Sequence, residues 1–312
     1  MTGAMAARVR VLAAAVLVPA LFSCESPSDP EPGPPAGIGV VDGAGQTAAA
    51  GQALPDPVAV RVVDARGRPV DGEAVNFVVT SGGGSVFAAQ VTTDGEGLAR
   101  NTWTLGTAAG AAQALEARVS SSGGQLLAVV TATAASGAPA SVHAFAPGDT
   151  IFAGTAGAAL DTTPAVRVVD AHGNPVPNVS VAWAADHGGT FSPATGTTDA
   201  QGVARARWTL GGSAAVFAHA AQATVAGVGA VRFQARVVTS LMKSGGDGMT
   251  VTAGAQVPVS VTVLGLFGPV RGAQVRWTVV SGGGTVAPPA AGPTPAEGVA
   301  QAVWTPGPNP GP

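Results

Sequence analysis

The segment VRVVDARGRPV at residues 60–70 is written again as VRVVDAHGNPV at residues 166–176, so this chain builds one unit more than once. At an offset of 106, Val60, Asp64, Gly67, Pro69 and Val75 fall on Val166, Asp170, Gly173, Pro175 and Val181. Past a glycine loop the offset drops to 105, which lays TTDGEG (92–97) on TTDAQG (197–202) and NTWTLG (101–106) on ARWTLG (206–211). A fainter third copy begins near residue 248, where GPVRGAQVRWTVVSGGGTV (268–286) matches RPVDGEAVNFVVTSGGGSV (68–86). A period near 100 residues is too long for a solenoid repeat and suits tandem whole domains.

Within each copy the hydrophobic period is two. Val58, Val60 and Val62 alternate with Ala59, Arg61 and Val63, and Val75, Phe77 and Val79 alternate with Asn76, Val78 and Thr80. Such alternation marks half-buried strands. The spacing predicts strands near 38–42, 57–63, 74–80, 86–92, 98–105, 113–120 and 125–134, with no helical segment. Seven short strands in about 100 residues is the pattern of an immunoglobulin-like sandwich.

The repeated aspartates sit in D-x-x-G strings: Asp64 with Gly67, Asp94 with Gly97, Asp170 with Gly173, and Asp199 with Gly202. A type I turn favours Asp first, where its carboxylate accepts local N–H bonds, and Gly fourth. The motif is read as a turn between strands. Calcium is the functional alternative, but one carboxylate per loop falls far short of six to eight oxygens.

On these strings the chain resembles a known family. V-x-V-x-D-x-x-G-x-P-V, then S-G-G-G, T-T-D-x-x-G and W-T-L-G, resembles bacterial immunoglobulin-like domains of the invasin and intimin type. The resemblance covers residues 38–305 and is strongest in the first two copies. It implies surface spacers, adhesin stalks and accessory domains with no shared catalytic residues. Copy three departs from the pattern: Leu264 and Pro295 stand at the aspartate places and Phe267 at the first turn glycine.

The expected organisation is a signal peptide over 1–23, a lipidated Cys24 with a Pro-rich linker over 24–37, and Ig-like domains over 38–136 and 137–238. An incomplete third domain over 239–312 lacks the last two strands. Arg8 and Arg10 flank the apolar run VLAAAVLVPALF (11–22), which is short for a membrane span. The closing LFSC resembles a bacterial lipobox, with Phe22 a less usual residue in it, and Cys24 is the only cysteine. A lone cysteine excludes internal disulfides. The tether ESPSDPEPGPPAG (25–37) reads as extended, reaching roughly 40 Å. Glu25 after the cysteine resembles an outer-membrane sorting signal.

With no Tyr and much Ala and Val, the core has to rest on a few large anchors. Trp103, Trp208 and Trp304 share one position and Phe77, Trp183 and Trp277 another, so these six are expected to fill the space between sheets. Exposed aromatics stacking on sugar are the alternative.

Chemical motifs are sparse. GAGQTA (43–48) has a dinucleotide-like spacing, but Pro55 and Pro57 leave no room for the receiving helix. His143, His172, His187 and His219 all lie in copy two, and His172 and His187 at opposite ends of one strand are expected about 20 Å apart, which argues against a metal. No cofactor is expected. Asn178-Val179-Ser180 fits a glycosylation acceptor, a reading the lipobox contradicts. A net charge of −3 with one lysine gives no basic stripe for nucleic acid. The sequence therefore predicts an exported, non-enzymatic lipoprotein of the outer membrane or cell surface. It would be anchored by its lipid and act as a spacer or adhesion module toward a protein or glycan ligand. A glycan- or peptidoglycan-binding lipoprotein is the alternative.

Overall fold

Strands with one apolar face must bury it against another layer. In the computed structural model, which describes residues 31–146, 150–288 and 292–308, each of the first two repeats does so with a pair of sheets. The expected signal peptide, Cys24 and the start of the expected tether lie outside the described residues.

The first repeat runs β1 (Pro35–Asp42), β2 (Thr47–Ala49), β3 (Val58–Asp64), β4 (Ala74–Ser81), β5 (Gly84–Val86), β6 (Gln90–Thr92), β7 (Leu98–Asn101), β8 (Trp103–Leu105), β9 (Ala112–Ser121) and β10 (Gly124–Ala135). One sheet has the order β1-β3-β7 and the other β2-β10-β9-β4-β6, with β5 and β8 in a separate ribbon. Only β2 pairs in parallel, on β10.

The second repeat runs β11 (Ser141–Ala144), β12 (Ile151–Gly154), β13 (Ala165–Val169), β14 (Ser180–Ala185), β15 (Thr190–Ser192), β16 (Thr195–Thr197), β17 (Val203–Arg205), β18 (Arg207–Thr209), β19 (His219–Val225) and β20 (Gly229–Val237). Its sheets, β11-β13-β17 and β12-β20-β19-β14-β16, with the ribbon β15-β18, repeat the first topology strand for strand. Both repeats are immunoglobulin-like sandwiches and the chain is all-β.

The first repeat departs from the expected strands at three places. The expected strand at 98–105 breaks at Thr102, so that β7 joins one sheet and β8 joins the ribbon; the expected strand at 86–92 breaks after Val86. Buried Asn101 spans both breaks: its Nδ2 donates to the Ala88 carbonyl at 2.6 Å, and its Oδ1 accepts the Ala88 N–H at 3.3 Å. A side-chain amide thus replaces ladder bonds lost where the chain changes sheets. β2 was not anticipated, because three residues of Thr and Ala carry no readable period.

Each core is many small residues around few large ones. In the first, Phe77, Trp103, Leu105 and Leu115 sit among valines and alanines of both sheets. In the second, Trp183 stacks on Phe233 at 6.1 Å, and Phe191 stacks on Trp208 at 5.6 Å. Trp103 and Trp208 are fully buried and Trp183 nearly so, which removes these indoles from any sugar in solvent. Their Nε1–H groups have no hydrogen-bond partner among the described residues. Burying an indole of about 200 Å² at about 25 cal/mol per Å² yields about 5 kcal/mol, against about 1–3 for the unmade bond. Burial wins.

The third repeat is different. It has β21 (Ser240–Gly245), β22 (Val257–Gly265), β23 (Gly268–Pro269), β24 (Gly284–Ala287) and β25 (Val299–Pro306), all in one sheet of order β21-β22-β25-β24 with β23 beside β22. Residues 273–280, which align with β4 and β14, form no strand. The described residues hold no second sheet to cover this one, so Trp277 and Trp304 are only half-buried, a correction to their reading as core anchors. The buried apolar cluster here is Val263, Val270 and Ala273, against which Ala153 and Val238 of the preceding repeat pack.

Two outcomes follow from this packing. Trp103→Ala is expected to destabilise the first sandwich by about 3–5 kcal/mol in denaturant melts while leaving the second sandwich's transition in place. Limited proteolysis is expected to cut first beyond residue 239 and leave a resistant fragment holding both sandwiches, since a small apolar cluster resists local opening poorly. Mass spectrometry of the early fragments reads this directly.

Candidate functional site

The turn aspartates do two different jobs. Asp94 and Asp199 act locally: Oδ1 of Asp94 accepts the N–H groups of Glu96 and Leu98 while Oδ2 pairs with Arg100, and Asp199 repeats this with Gln201, Val203 and Arg205. Both carboxylates are roughly half exposed. Their partner glycines, Gly97 and Gly202, have left-handed backbones (φ 71° for both), and a Cβ there would lie 2.6 and 2.5 Å from the Val62 and Val168 carbonyl oxygens. Gly67 and Gly173 close the other two turns, likewise at positive φ but with open space where a Cβ would point.

Asp64 and Asp170 are buried and reach further. Oδ1 of Asp64 accepts the N–H groups of Arg66 and Arg68, while Oδ2 accepts the Gly33 N–H at 3.0 Å and the Arg68 guanidinium at 2.7 Å. Oδ1 of Asp170 accepts from His172 and Asn174 N–H, and Oδ2 accepts from Gly137 N–H and Asn174 Nδ2, all at 2.9 Å. Each carboxylate therefore holds its own turn and also the chain entering its sandwich. The Gly33 N–H foremost, against opposing burial and with help from Arg68 and Arg66, keeps Asp64 well below the carboxylate range. Burial pushes Asp170 up, but the bonds from Asn174, Gly137 and His172 outweigh it and bring it down to about 2.

Asn174 extends the clamp to the neighbouring sandwich. Its Oδ1 accepts the Ala109 N–H at 3.0 Å and its Nδ2 donates to the Thr107 carbonyl at 2.9 Å, fixing the tip of the second repeat against a loop of the first. His172 fits against Gly51, where an added Cβ would lie 2.7 Å from Nε2.

At the next junction the turn is rebuilt. Gly265 pairs with Gly268 across the two-residue turn Leu266-Phe267, so Leu264 is a ladder residue rather than the aspartate equivalent, which corrects its placement. Leu264 accepts the Thr239 N–H at 2.9 Å. Phe267 meets Phe217 of the second sandwich at 5.7 Å, and the Arg236 guanidinium lies 4.5 Å over the Phe217 ring. At Pro295 the turn survives without a carboxylate, through the Gly298 N–H to the Pro295 carbonyl at 3.0 Å. A cavity of about 340 Å³ opens at this junction between Phe152, Leu160 and Asp161 on one side and Gly272, Gln274 and Arg276 on the other.

Two features escaped the sequence reading. Buried Thr93, Thr198 and Thr294 donate to the carbonyls of Val70, Val176 and Val270 at 2.7 Å and accept an N–H from Glu73, Val179 and Ala273. Their signal was the threonine standing before the turn residue in all three copies. The second is a cluster of Asp186, His187 and His219, whose ligand-type atoms all lie within 4.8 Å of one another. Separating His172 from His187 did not exclude it, because the partner of His187 is His219 on β19. Strand register matches His187 and His219 to Gly82 and Gln113 of the first copy.

Residues 153–234, within the second sandwich, match the family model described as bacterial Ig-like domain (group 1). The second sandwich is thus similar to these domains in sequence, and the first repeats its topology. No curated protein matches the chain. Among solved structures, the Escherichia coli adhesin FdeC is 19% identical over 90% of this chain and 92% of that one, with a TM-score of 0.43. The D0-D1 domains of intimin are 20% identical over 65% and 96%, with a TM-score of 0.26. Invasin, described as a bacterial integrin-binding protein, is 17% identical over 87% and 54%, with a TM-score of 0.29.

The Asp170 clamp has a pH signature. Its carboxyl ionises at about 2 in the fold against an ordinary 3.8, so its stabilisation is present above about pH 4 and is lost as pH falls towards 2. The melting temperature of the second sandwich is expected to fall across that window. Asp170→Asn is expected to lower it already at neutral pH and to flatten part of the acid fall, as calorimetry would show.

Proposed function

We propose that the chain is a non-catalytic, surface-tethered spacer and adhesion module, in which a lipid on Cys24 and the Pro-rich tether hold linked Ig-like sandwiches away from the outer membrane. The observation that carries this reading is the Asn174 bridge. Three hydrogen bonds of one side chain, two donated and one accepted, tie the turn of one sandwich to itself and to two backbone groups of the other. A chain of independent binding domains has no need to fix the angle between neighbours, whereas a spacer does, because inter-domain motion is the default unless an interface opposes it. The residues doing this lie at the junction and use backbone groups of the partner, so they set geometry rather than bind a ligand.

The anchor and the spacer are tested separately. Cys24→Ser is expected to abolish lipid labelling and release the protein from membranes, since attachment depends on buried acyl chains; unchanged partitioning would refute the tether. Asn174→Ala is expected to broaden the distribution of end-to-end distances seen by small-angle scattering without destabilising either sandwich by more than about 1–2 kcal/mol. An unchanged distribution would refute the fixed junction.

A further inference from the structure

We propose that Asp186, His187 and His219 form a binding site for a divalent late transition-metal cation of the zinc type, built only into the second sandwich. The three ligand-type atoms come from two elements: Asp186 and His187 from the loop leaving β14, and His219 from the first residue of β19. They already lie within 4.8 Å of one another. Ligands at about 2.0–2.2 Å from a common cation stand about 3–4 Å apart, so a small closure completes the set.

The state of His219 is what points to a cation. Its ring is fully buried, and Nε2 lies 3.1 Å from the Ser213 carbonyl, which can only accept. That bond places the proton on Nε2 and leaves a lone pair on Nδ1. Nδ1 is buried with no hydrogen-bond partner among the described residues. A histidine whose N–H is held by a backbone carbonyl while its other nitrogen is left basic is the arrangement found behind metal ligands. The His187 ring stands edge-on to it at 5.6 Å. Asp186 is oriented too: Oδ1 accepts the Ala220 N–H at 2.8 Å and lies 2.9 Å from His187 Nδ1.

The first repeat supplies an internal control. At the equivalent positions it has Ser81, Gly82 and Gln113. Gln113 is satisfied at both ends, accepting the Gly106 N–H at 3.2 Å and donating towards the Gly82 carbonyl at 3.4 Å. Gly82 has φ 82°, the left-handed region that suits glycine, whereas His187 occupies its place at φ 50°. All three positions change together into ligand types, and one of them accepts a backbone strain that glycine avoids. Packing alone explains none of this, since Gln113 packs the same place with its polar atoms bonded.

The donor set selects the cation. Two imidazoles and one carboxylate suit zinc, copper or nickel rather than calcium or magnesium, which require oxygen ligands. His187 is nearly half exposed, so the cation reaches the site from solvent and water can take a fourth position. The bound ion would tie the β14 loop to β19 beneath the segment that carries Phe217, and so stiffen the side of the sandwich facing the third repeat.

The test is calorimetric titration of the purified full chain with zinc chloride, alongside cobalt absorption spectra and zinc-dependent melting. One zinc per chain, with a raised melting temperature of the second sandwich, is expected. His219→Gln and His187→Gly, which restore the first repeat's residues, are each expected to weaken binding at least about tenfold. His187→Gly relieves the backbone, so it is expected to keep or raise metal-free stability while losing zinc, which separates a ligand from a structural role. His143→Gln and His172→Gln are expected to leave binding unchanged. Absence of a zinc isotherm, or one that survives His187→Gly or disappears with His172→Gln, would overturn the site.

Discussion

One buried carboxylate organises more of this molecule than its size suggests. Asp170 uses one oxygen to close its own turn and the other to hold Gly137 and Asn174, and Asn174 carries the bond on to Thr107 and Ala109 of the preceding sandwich. Such bonds to an ionised acceptor are stronger than neutral ones and are protected here from water. Turn, linker and neighbouring domain are thereby fixed by one charge. Asp64 does the same for the chain arriving at the first sandwich, with Arg68 in the place of Asn174. The substitution of a guanidinium by an amide at that place follows the partner: Arg68 reaches the Glu31 carbonyl, while Asn174 must both donate and accept.

The cores explain why the first two repeats stand as units and the third leans on its neighbour. Valine and alanine alternate well but fill little space, so indole and phenyl rings supply the bulk among the small residues of both sheets. Trp103 and Trp208 enter these cores from the ribbon strand after the sheet change, and Phe77 and Trp183 enter them from the five-stranded sheets. In the third repeat the same positions carry Trp304 and Trp277, but with one sheet described no facing sheet closes over the rings and both stay half-buried. What it has instead is contact with the second sandwich through Val238, Ala153 and the Phe267–Phe217 pair.

Repetition also makes the chain its own comparison. Topology is held constant between the first two repeats, so a difference in side chains at matched places points to what those side chains add. The buried threonines are the same in all three copies and serve the turns. The glycine-loop end differs: a bonded glutamine and a glycine in one, two histidines and an aspartate in the other.

The all-β class, the repeat and most strand positions were legible in the sequence, because a period of two and a turn at each D-x-x-G are local properties that neighbouring residues dictate. The six aromatic anchors were legible as recurrences, yet whether each is buried depends on a facing sheet, which only the assembled fold supplies; hence Trp103 and Trp304 differ. The same limit applies to the aspartates. Asp64 and Asp94 are identical as motifs, and nothing local says that one is buried against an incoming chain while the other stays in solvent. Strand breaks at Thr102 and after Val86 were hidden because a chain changes sheets in response to its partners rather than its own pattern. The meeting of His187 with His219 was decided by the pairing of β14 with β19, residues some thirty apart in the chain and adjacent only in the sheet.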